Sequence, residues 1–182
     1  AVGAFLGLNS GLESWHSAML PAQFPIFALM SGIALMLVVL AWFMPNQDER
    51  RPTQLRVLSI VLAVLLVVKA YYLWIDYSQA VYSGSPNARQ AVEMILFGRF
   101  GWVFWVLQLG LGMLVPLVFL IQDRFNQSKL WAGLTGLFVL IGMGVARANV
   151  ILPALVIPEL DGLATAFFGP HLGYEYFPSL ME

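Results

Sequence analysis

The sequence predicts an all-α fold: an integral membrane helical bundle of about four transmembrane helices, with a partial further segment on its N-terminal side. Two observations carry this reading. Hydrophobic residues make up 60% of the chain and charged residues only 10%, against roughly a quarter charged in ordinary soluble domains. The apolar residues also fall in four long blocks, at 24–44, 57–77, 101–121 and 130–152. Each reaches the length of about 20 residues that crosses a hydrocarbon core. Four such blocks leave too little polar sequence to wrap them as buried helices of a water-soluble protein.

The elements follow in order. The chain opens on "AVGAFLGLNSG", the tail of an apolar segment without the charged n-region of a signal peptide. The first span then runs over 24–44. "PNQDERRPTQ", Pro45 to Gln54, is a solvated loop with prolines bracketing a charge cluster. The second span covers 57–77. Beyond it, Tyr77 to Gly101 contains a Gly-Ser-Pro-Asn turn and an interfacial helix over 88–97. The third span, 101–121, holds Pro116, which is expected to kink it. "QDRFNQSK", Gln122 to Lys129, is a polar turn, and the fourth span is 130–152. The tail 153–182 carries prolines at 153, 158, 170 and 178 and reads as too broken for a simple span. Residues 1–182 are expected to form one bundle domain within a longer subunit of about eight to ten helices, with spans before Ala1 and after Glu182.

Loop charges set the orientation. Arg50, Arg51, Arg56, Arg124 and Lys129 lie in or beside the 45–54 and 122–129 loops, which makes that side cytoplasmic. Only Arg89 and Arg99 lie opposite, so the 77–100 loop and the 153–182 tail are expected outside a bacterial or archaeal inner membrane. Pairs of small residues at Ala28/Gly32, Gly110/Gly112, Ala132/Gly136 and Gly142/Ala146 mark expected close approaches between helices. Trp and Tyr residues gather largely at the span ends, as an interfacial belt.

The net charge of -1 says nothing about partners, and there is no basic tract to suggest nucleic acid. Cysteine is absent, which removes disulfides, thiolate catalysis and cysteine-held iron–sulfur clusters from this stretch. His16 and His171 fall outside the spans, whereas a membrane haem usually takes histidines at span depth, so no haem is expected. No ligand spacing supports a metal site. Two cations do lie within spans. Lys69 and Arg147 are both expected in the outer half, with Lys69, Tyr72 and Asp76 on one helical face and Asn149 just beyond Arg147. Snorkelling explains Lys69 without function; a tie to Glu159 or to loop carbonyls does so for Arg147. The other reading is that an intramembrane ionisable group marks a ligand or proton path.

Several stretches carry a family resemblance. "SWHSAMLPAQFPIFALMSGIAL" resembles the Trp…Pro…Phe…Gly-x-Ala start of a helix in the NrfD/PsrC family, the quinol-handling membrane subunits of polysulfide reductase-like complexes. "LLVVKAYYLWIDYSQAVYSGSP", "GWVFWVLQLGLGMLVPLVFLI", "ARANVILPALVIPEL" and "GYEYFPSLME" are similar to later blocks of that family. The resemblance implies non-covalent binding of menaquinone or ubiquinone near the outer surface. It also implies electron exchange with an iron–sulfur subunit and, through it, a molybdenum-type catalytic subunit. Metals would then sit in the partners, with none in this chain. Oxidising a quinol needs groups that accept two protons beside a low-dielectric pocket. His16 suits that by its ordinary pKa, and Arg147 follows as a donor to a quinone oxygen. Glu13, Lys69, Tyr72, Asp76, Asn149 and Glu159 are the further pocket or proton-path candidates. Two rivals remain: a non-catalytic anchor for a periplasmic enzyme, and a secondary transporter, which would want broken helices or a midplane charge.

Overall fold

In a computed structural model of the protein, the structure describes residues 20–44, 51–82, 86–98, 101–122 and 128–156. The described residues are helical almost throughout. Helix α1 is Leu20–Trp42, α2 is Arg51–Tyr82 and α3 is Pro86–Phe97. A π-helical segment, Val103–Leu114, continues into α4, Val115–Ile121, and α5 is Lys129–Val156. Four helical stretches among the described residues are long and apolar enough to cross a membrane: Pro21–Trp42, Pro52–Tyr82, Val103–Ile121 and Lys129–Ile151. The chain is thus an all-α, multi-pass membrane bundle, as its composition predicts. In hydrocarbon every backbone N–H and C=O must find its partner within the protein, and a helix satisfies them inside one segment.

The helices outrun the apolar blocks. α2 starts at Arg51, inside the expected loop, and ends at Tyr82, because helical pairing continues into polar residues where water begins. α5 likewise passes through Pro153 to Val156, into the stretch expected to be broken. A proline removes one backbone donor but leaves the rest of a final turn able to pair.

Around Pro116 the third span departs from regular α-helix. The turns before it adopt π-register over Val103–Leu114, and the Val115 N–H closes the segment on the carbonyl of Gly110. Pro116 then lies in the first turn of α4, where a missing N–H is least costly.

α5 is the central helix, packing against α1 and the π-helical segment most extensively. Glycines set those approaches. A Cβ on Gly112 would lie 2.5 Å from the Cα of Gly142, and one on Gly136 would lie 2.7 Å from the carbonyl oxygen of Ala34. Backbones therefore meet directly at both crossings, as small residues allow in membranes. Around them Met30, Ala34, Leu62, Leu66, Met113, Leu120, Val139 and Met143 form a core shared by all four spans. Leu37, Ala41, Leu55 and Ala132 form a second cluster. The Ala28/Gly32 pair departs from expectation: both residues face outward, and nothing approaches a Cβ built on Gly32 within 4 Å.

Candidate functional site

Besides Ser59 and Thr135 nearer the opposite end, the polar side chains of the bundle interior lie between mid-span and the end that carries α3. Their contacts fix the level. Lys69 and Met143 each lie thirteen residues before the end of their helices, about 20 Å down the axis. Lys69 Nζ meets Met143 Sδ at 3.2 Å and lies 5.8 Å from the centre of the Phe27 ring. Only 1% of Lys69 is exposed. A snorkelling lysine would reach the interface; this one is enclosed by α1, α2 and α5. Neither a thioether nor an aromatic face is an anion, and among the described residues Lys69 forms no ion pair.

Asp76, two turns nearer the α3 end, accepts a hydrogen bond from Gln23 Nε2 of α1. Gln23 is buried at 3% exposure and Asp76 is half-buried. On the other side of the bundle, Asn149 Nδ2 of α5 donates to Gln108 Oε1 of the π-helical segment at 2.6 Å. Gln108 is 4% exposed. No described residue accepts a hydrogen bond from its amide NH2, which remains a donor. Tyr77 packs its ring against Phe104, 5.4 Å between centres, which brings α2 and the π-helical segment together near this level.

The structure therefore brings some expected residues together and separates others. Lys69 and Asp76 share a helix but not a partner; each is tied to other helices. Tyr72 is half-buried, and its ring contact is with Tyr71. Asn149 joins the interior set through Gln108. Arg147 does not. It lies one turn past Met143, so it shares the Lys69 end of the bundle, yet its side chain is exposed on the outward face of α5. A polar recess among these helices is not where Arg147 stands. His16, Glu13 and Glu159 lie outside the described residues.

Two members of the set, Gln23 and Gln108, are not among the residues expected from sequence. A signal exists for the second. Gln108 is the one amide or charged side chain between Val103 and Ile121, and a buried amide must be hydrogen-bonded or exact a cost. Chemically, the interior offers an amine at Nζ, a carboxylate at Asp76 and an oriented amide donor at Gln108. These can hold a polar ring substituent and exchange a proton with it.

Known proteins share this sequence pattern. A selenate reductase subunit of Mesobacillus selenatarsenatis is 29% identical over 99% of this chain and 42% of that protein. An Hdr-like menaquinol oxidoreductase integral membrane subunit of Archaeoglobus fulgidus is 28% identical over 99% of this chain and 47% of that protein. The chain thus spans less than half the length of these curated relatives. The family model described as Polysulphide reductase, NrfD matches residues 1–159, and the chain belongs to that family.

Proposed function

We propose that this chain forms part of the membrane subunit of a respiratory oxidoreductase complex and that the polar set at the α3 end handles menaquinol or ubiquinol. The supporting observation is Lys69. An ionisable side chain at span depth carries an insertion cost of about 3 kcal/mol, and here it is enclosed by three helices with no anion among its described partners. Such a group is retained where a ligand uses it. One relative is named as a menaquinol oxidoreductase membrane subunit, which fits the same chemistry.

The residues present suit a quinone ring. A bound quinol supplies two electrons and two protons. Lys69 Nζ and Gln108 Nε2 donate hydrogen bonds to ring oxygens, Asn149 holds the Gln108 amide in the donating orientation, and the carboxylate of Asp76, steadied by Gln23, accepts a proton. His16 is the proposed second acceptor, and Glu13, Glu159 and Tyr72 are further proton-path candidates. The electrons pass to an iron–sulfur partner subunit and onward to a molybdenum-type catalytic subunit. The 45–54 and 122–129 loops face the cytoplasm in this reading.

Lys69→Met in the full complex tests it, because methionine keeps the length and loses the amine. Quinol:acceptor turnover is expected to fall by at least about tenfold, the scale of one transition-state hydrogen bond to a charged group, with assembly intact. Unchanged turnover would leave a membrane anchor as the better account.

A further inference from the structure

Within this bundle glycines mark the places where helices touch. Gly112 meets Gly142, and Gly136 meets the backbone of α1. Like Gly32, Gly144 departs from that: nothing lies within 4 Å of a Cβ built there. It stands on the outward face of α5, on a stripe with Leu137, Ile141, Arg147 and Ile151 at steps of three and four residues. A glycine inside a helix is less favourable than alanine, and on a lipid-facing stripe nothing offsets that. Beside it, Arg147 is exposed, and none of the described residues offers it an ion pair or hydrogen bond. An arginine cannot shed its proton to suit hydrocarbon.

We infer that this stripe is a helix–helix interface: a further transmembrane helix of the same, longer polypeptide crosses α5 over Gly144 and presents a carboxylate to Arg147. The curated relatives, more than twice the span of this chain, have length for such helices. Close approach over a small residue together with a polar bond across it is how membrane helices associate. A guanidinium pairs with a carboxylate through two parallel bonds, so the contact fixes register as well as proximity. This inference stands on packing and charge, apart from any role in quinol chemistry.

The test uses the full chain, expressed in membranes with and without its partner subunits, with Gly144→Leu, Arg147→Leu and Arg147→Lys. A leucine fits the open space at residue 144 if lipid lies there, so misfolding of these four spans alone is not expected. Gly144→Leu and Arg147→Leu should each lower the yield of folded, monomeric chain, by on the order of threefold to tenfold, with or without partner subunits. Arg147→Lys should restore part of the loss. Unchanged or raised yield in both leucine variants would show a lipid-facing stripe and overturn the inference. So would a loss confined to conversion of a dimer into monomers, which means a second copy, or a loss seen only when partner subunits are present.

Discussion

Gln108 and Asn149 show how a single pair can define what a buried surface offers. The Asn149 amide donates to the Gln108 oxygen at 2.6 Å, and the Gln108 NH2 keeps its two donors. Side-chain bonds between membrane helices are worth about 0.6 kcal/mol on average and up to about 1.7. Gln108→Leu and Asn149→Leu, combined in a double-mutant cycle, should therefore give a coupling energy of about 1 kcal/mol in unfolding from mild detergent. A coupling near zero would show that the pair is not formed. Lys69 and Arg147 make the complementary point about what sequence reveals. Each is a lone cation in an apolar run, and from sequence they read alike. In the structure one is sealed against Met143 and the other points away from the bundle. Nothing in the local sequence separates them, because both faces of these helices are apolar and the hydrophobic pattern no longer reports which face is inside.

At the scale of elements, the spans and the amphipathic α3 are legible because length and hydropathy decide what crosses a bilayer. Helix register is not. Pro116 announces a disturbance in the third span, and the structure resolves it as twelve residues of π-helix ahead of the proline. π-register is uncommon and tends to accompany functional sites; here it carries Gln108. The same segment supplies Gly112, whose backbone rests on Gly142. Gly112→Leu should accordingly separate the π-helical segment from α5, and folded protein recovered from membranes should fall steeply. The loss should exceed that of Gly110→Leu, where the nearest atom to a new Cβ is the Trp105 carbonyl oxygen at 3.2 Å. Equal recovery of the two variants would contradict the backbone contact.

The whole molecule sets a group of polar side chains, from mid-span towards the α3 end, within a largely apolar interior. Part of the proposed site is readable from sequence: Lys69, Asp76 and Asn149 stand out as ionisable or polar groups towards the outer ends of their spans. Gln23 and Gln108 do not, since a glutamine draws less notice than a charge although burial makes its need of a partner just as firm. The central claim is that quinol meets this set. Photolabelling of the intact complex with an azido-quinone analogue, followed by peptide mapping, tests it most directly. Adducts are expected on α2 between Lys69 and Tyr77 and on the π-helical segment around Gln108, lost when excess quinol competes. Adducts that avoid both segments, with competition by quinol preserved elsewhere in the complex, would contradict the account.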